Sequence, residues 1–179
     1  HLGKNAVHEM ARVVDLIETT YAAKLCHRKH PLLGHATISV GTISGGTQAN
    51  VVPDKCVITA DRRILPGETE RSVHREIQQL LRAKKLFATI DNSKAVSCLP
   101  LETNCKLPLV QQFFRSIGQK NAIGVDYFCD AAVLSQAGIP SVVFGPGNIA
   151  QAHTSDEWIS IKSLEQAMRL LVKFFQTLP

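Results

Sequence analysis

ATISVGTISGGTQANVVPDKCVITADRRILPG, Ala36–Gly67, holds two strand patterns around a turn-rich loop. Its first eight residues are rich in β-branched side chains and predict a strand over Ala36–Ile43. CVITADRRI (56–64) alternates apolar with polar and predicts a second strand, stopped by Leu65-Pro66-Gly67. The SGGTQANVVPD between them is a loop of turn formers. Toward the N-terminus, Val7, Met10, Val13, Val14, Ile17 and Tyr21 recur at helical spacing from Lys4 to about Lys24, and HPLLGH then breaks the pattern. In the other direction, Thr69 and Ser72 open a helix that runs to about Ala83 with Val73, Ile77, Leu80 and Leu81 on its apolar face. KLFATI (85–90) predicts a third strand. The order is α-β-β-α-β. One strand ahead of it would complete a split β-α-β-β-α-β unit, a sheet covered on one face by two helices. The chain opens HLGKNAVHEM, with no initiator Met and straight into a helical pattern, so we expect a cut inside a domain and a missing first strand.

Beyond Leu101 the pattern changes, which predicts a division into 1–101 and 102–179. LPLVQQFFRSIG (107–118) predicts a helix with Gly at its end, and Asp130–Ala137 a shorter one. Ser141–Phe144, uniformly apolar after Gly138-Ile139-Pro140, predicts a central parallel strand buried on both faces. Ser163–Thr177 predicts a closing helix with Leu164, Ala167, Met168, Leu171, Val172 and Phe175 inward. This is α/β architecture, where ligands sit at the carboxyl ends of strands. Gly145-Pro146-Gly147 and His153 fall at such an end.

Composition excludes several classes. Hydrophobic residues make 45% of the 179 and charged residues 20%, with no low-complexity tract, as in a folded globular protein. No apolar run is long enough to span a bilayer, and HLGKNAVHEM has neither the basic nor the apolar stretch expected of a signal peptide. Five cysteines (Cys26, Cys56, Cys98, Cys105, Cys129) form no C-x-x-C pair and fit reduced, buried thiols of a cytoplasmic protein. The net charge of +5 reads as solvated faces at HRKH (27–30), Arg62-Arg63 and Lys84-Lys85, without the aromatic interleaving of a nucleic-acid binder. GTISGGTQAN lacks the spacing and the Lys-Ser/Thr of a phosphate loop.

Singly, the candidate site residues are ordinary. A Gly-Pro-Gly is a tight turn, although its lack of Cβ also lets backbone approach a ligand. His153 alone reads as a surface group, Glu157 as a first-turn carboxylate, Asp130 as an N-cap, and Arg63 as a strand-edge charge pairing with Asp61 or Glu68. Taken together, Asp130, Gly138-Ile139-Pro140, Gly145-Pro146-Gly147, His153 and Glu157 resemble, in order and spacing, the C-terminal active-site segment of the M20 metallopeptidase family. QAHTSDEW looks most like its acetylornithine deacetylase branch. The first half is similar to the lid, or dimerisation, domain of the same family, at Gly3, Asn5 and Ala6, at Asn50–Pro53, and at Asp61 and Arg63.

The resemblance implies a dinuclear metal-dependent hydrolase that cleaves the amide of an N-acyl amino acid or short peptide. It implies His153 as ligand to one of two divalent metal ions, zinc or cobalt. Asn50 and Arg63 would reach the substrate, and Gly145, Pro146 and Gly147 would line its pocket. Metal coordination lowers the pKa of bound water and supplies the nucleophile that amide hydrolysis needs. The resemblance further implies a cytoplasmic homodimer paired through the lid, with no nucleic-acid or membrane partner. The family's His-x-Asp and Glu-Glu are absent from these residues, and His1 is too near Gly3 to be its lid histidine. The 179 residues are therefore expected to hold no general base and to be inactive alone. The alternative is a non-catalytic dimerisation or small-ligand-binding module on the split β-α-β fold.

Overall fold

A computed structural model of the protein describes residues 3–92 and 99–179. His1 and Cys98, both considered above, lie outside the described residues. The chain forms two compact units, His1–Pro100 and Leu101–Pro179.

In the first unit the expected N-terminal helix forms with a widened turn in the middle. It runs as α1 (Ala6–Asp15), a π-helical segment Leu16–Tyr21, and α2 (Ala22–Leu25). Asn5 caps it, its side chain accepting the Val7 and His8 N–H groups at 3.0 and 3.1 Å. Residues spaced by four drift about 40° per step around a regular α-helix. The wider turn offsets that drift, and Ile17, Tyr21 and Leu25 are all buried. A small hairpin follows, β1 (Lys29–His30) on β2 (Gly34–His35).

The two strands of the opening stretch form an antiparallel pair, β3 (Thr37–Gly45) with β4 (Cys56–Arg63). Thr37 faces Arg63 and Gly45 faces Cys56, with a bulge at Gly41 because Val40 pairs with Ala60 and Thr42 with Thr59. The extra residue puts Ile43, opposite Ile58, on the same face as Ile38 and Val40. Helix α3 (Glu70–Ala83) is fixed by a capping box: Ser72 N–H donates to the Thr69 hydroxyl at 3.1 Å, and Thr69 N–H to the Ser72 hydroxyl at 2.9 Å. Val13, Leu16, Ile17, Tyr21 and Leu25 pack with Ile38, Leu65 and Leu81 into one core, with Val40, Ile58 and Ile77 against it. Both helices thus cover one sheet face, as expected. The strand predicted over 85–90 does not form. Leu86, Ala88 and Ile90 turn toward the core while Phe87 is 88% exposed, so the alternation is present. A strand also needs a ladder partner, and among the described residues none lies beside it.

The second unit packs α4 (Pro108–Ile117) against α6 (Ile161–Phe175), with the short α5 (Ala131–Gln136) between them in sequence. Pro108 opens α4, and Gly118, at φ 73°, closes it. Phe113 lies edge-on to Phe144 and Phe174, ring centres 5.4 and 4.9 Å apart. The inward face of α6 differs from the expected one. Ala167 is buried and Phe174 meets Phe113, whereas Leu164, Met168, Val172 and Phe175 are 48% to 59% exposed. The apolar stripe of α6 is wider than the surface α4 presents to it. Ser141–Phe144 also forms no strand, for the same reason as 85–90: it has no ladder partner among the described residues, and Val142 and Val143 are exposed. The cysteines, expected buried, are half-buried thiols at Cys56, Cys105 and Cys129 and an exposed one at Cys26. No helix is long and apolar enough to cross a membrane among the described residues.

Candidate functional site

The loop after Phe144 is built from local bonds. Gly145, Pro146 and Gly147 are exposed, and Gly147 turns the chain at φ 89°, a conformation glycine adopts without strain. Asn148 then caps a 3-10 turn, Ile149–Gln151, by accepting the Ala150 N–H at 3.0 Å. The Thr154 hydroxyl donates to the Gln151 carbonyl at 2.8 Å. His153 between them has φ 64°, a left-handed backbone that costs a residue with a Cβ on the order of 1 kcal/mol. The bond that holds it there comes from Glu157, whose Oε2 accepts the His153 N–H at 3.0 Å. Glu157 is therefore not the first-turn carboxylate that its position suggested; it is a clamp on the backbone of His153, and the imidazole stands exposed. Asp130 occupies the N-cap position of α5, but its backbone is helical and its side chain makes no capping bond.

An exposed imidazole on a fixed backbone suits a metal ligand, but one donor does not make a site. Among the described residues no three His, Cys, Asp or Glu side chains gather where a metal ion would be held. The donor set of these residues alone does not fit a zinc site.

The other candidates lie in the first unit. Ala6 N–H donates to the Pro53 carbonyl at 2.9 Å, and a Cβ on Gly3 would come within 3.3 Å of Val52. Gly3-x-Asn5-Ala6 and Asn50–Pro53, apart in sequence, thus pack together, which holds the loop carrying the exposed Asn50. Arg63 ends β4 on the outer sheet face, away from the helices, and its Nε donates to Asp61 at 2.8 Å. Both side chains are more than half exposed, as in a strand-edge pair.

Arg62, pointing the opposite way, enters a cluster that the sequence did not reveal. It donates to Glu68 at 2.8 Å and lies over the Tyr21 ring. Arg28 donates to Glu68 at 2.8 Å and also binds Glu76, which accepts from Lys24 and from the Tyr21 hydroxyl at 2.6 and 3.0 Å. Two of the basic residues read as solvated, Arg28 of HRKH and Arg62, are therefore ion-paired at the edge of the core. Burial pushes the Glu76 carboxyl up, but the bonds from Arg28, Lys24 and Tyr21 outweigh it and bring it down to about 2. Burial likewise raises Glu68, and the Leu65 N–H with the Arg28 and Arg62 guanidinium groups more than reverses that. The same bonds to Glu76 and Glu68 raise Arg28. Desolvation raises Tyr21.

Residues 1–88 match the family model of the M20 peptidase dimerisation domain. The chain is 31% identical over 172 residues to acetylornithine deacetylase of Edwardsiella ictaluri, covering 94% of this chain and 43% of that protein. It is 29% identical over 176 residues to acetylornithine deacetylase of Proteus mirabilis, covering 94% and 44%. Its fold is shared with an M20 family metallo-carboxypeptidase of Sulfolobus solfataricus (TM-score 0.58, 17% identity, 98% of this chain and 45% of that one). A tripeptidase of Staphylococcus aureus shares it too (TM-score 0.57, 20% identity, 95% and 44%). The chain belongs to the M20 peptidase family. It spans less than half the length of the relatives it matches.

Proposed function

We propose that this chain is part of a dinuclear metal-dependent amidohydrolase acting on an N-acyl amino acid or a short peptide. In that reaction water adds to the acyl carbon, the C–N bond breaks and the amine leaves with a proton. The observation that carries the reading is His153. A strained backbone held by Glu157 presents an exposed imidazole just beyond a glycine turn, in a segment that matches acetylornithine deacetylases. His153 would supply one donor to one of two divalent metal ions, zinc or cobalt, whose chemistry when bound would be to polarise the carbonyl and activate water. Arg63 would grip a substrate carboxylate through its planar fork, and Asn50 would add a hydrogen bond. The backbone of Gly145, Pro146 and Gly147 would line the substrate pocket. Residues 1–88 would pair two copies, and the enzyme would work in the cytoplasm, where its cysteines stay thiols.

Two measurements test this. The full product of the encoding gene is expected to carry a His-x-Asp and a Glu-Glu ahead of His1 and to hydrolyse N-acyl amino acids. His153→Ala in that product should lower bound metal and cut the rate by at least about 100-fold. The 179 residues alone, incubated with zinc and checked by elemental analysis, are expected to hydrolyse nothing. Hydrolysis by the 179-residue chain, or an undiminished rate in the variant, would overturn the reading. A native start near His1 would favour the non-catalytic pairing module.

A further inference from the structure

The open edge of β3 carries a feature unrelated to the hydrolase chemistry. In an antiparallel pair, each strand turns half of its N–H and C=O groups away from its neighbour, and such an edge invites another strand. Among the described residues no strand lies along β3 except β4. Glu18, in the π-helical segment, reaches the strand and accepts the Val40 N–H at 2.6 Å through Oε1. The next residue, Gly41, is the bulge. A blocked donor and a broken register therefore coincide at 40–41. Past them, Thr42–Gly45 is exposed, with Ile43 at 55%.

We infer that Glu18 is an edge lock. It withholds the Val40 N–H from a second copy of this chain, and together with the Gly41 bulge it confines strand addition to the Thr42–Gly45 end of β3. The inference rests on the reading that residues 1–88 pair two copies. A two-fold pair sets the segment against its own copy, residue i against j and j against i, and the lock fixes where that register begins.

Sedimentation velocity over a concentration series tests it on the 179-residue chain. Glu18→Ala frees the donor and should tighten the dimer about tenfold, since the Val40 N–H no longer has to give up a bond to a carboxylate before it donates across the interface. Glu18→Gln keeps an acceptor and should leave the dissociation constant within roughly twofold of the original. Hydrogen exchange on the unaltered chain gives an independent reading should Glu18→Ala not fold. Amides 42–45 should slow as concentration rises, while protection of Val40 stays constant. A dimer whose strength is unchanged in Glu18→Ala, or protection of Val40 that grows with concentration, overturns the lock alone. A monomer at every concentration for all three chains overturns the lock and the pairing reading together.

Discussion

Glu76 shows how much one carboxylate can hold in place. It accepts from three different side chains on the first helix and the turn that follows it, and so ties that stretch to α3. Its side chain is 14% exposed, so Glu76→Gln should lower the unfolding free energy of the chain by about 2 kcal/mol in urea titrations. The pH dependence has a definite sign. The folded-state value of about 2 lies below the ordinary 4.5, so the contribution is complete above 4.5 and is lost as pH falls toward 2. The stability of the unaltered chain should decline through that window, and the Glu76→Gln curve should be flatter there. Sequence separation hid this cluster. Arg28 and Glu76 are 48 positions apart, and nothing local distinguishes a solvated arginine from a paired one. The His153 loop was legible only as a glycine turn: the left-handed backbone at His153 did not show, because no glycine or asparagine marks it.

At the scale of elements, helices were read well and strands unevenly. A helix carries its bonds within itself, so periodicity marked the bodies of α3 and α4, Thr69 the start of the one and Gly118 the end of the other. The 85–90 and 141–144 segments carried side-chain patterns of strands, but the partner that makes a strand is a non-local fact. The π-helical segment went unseen because its apolar spacing fits an α-helix as well. Gly118 gives a test of the end signals. At φ 73° with open space where a Cβ would go, Gly118→Ala meets backbone strain but no clash. It should cost about 1 kcal/mol, measured by chemical denaturation.

Across the whole chain, apolar surface is unevenly hidden. The first unit closes ten residues into one buried cluster. The second leaves Leu164, Met168, Val172, Phe175 and Trp158 largely in water. Water structured around apolar groups is what raises heat capacity on unfolding, and in the second unit much of that hydration is already present in the folded chain. Scanning calorimetry should therefore record an increment below the about 12–15 cal/mol/K per residue usual for globular proteins. Any molecule that shields those side chains should bring the increment back up.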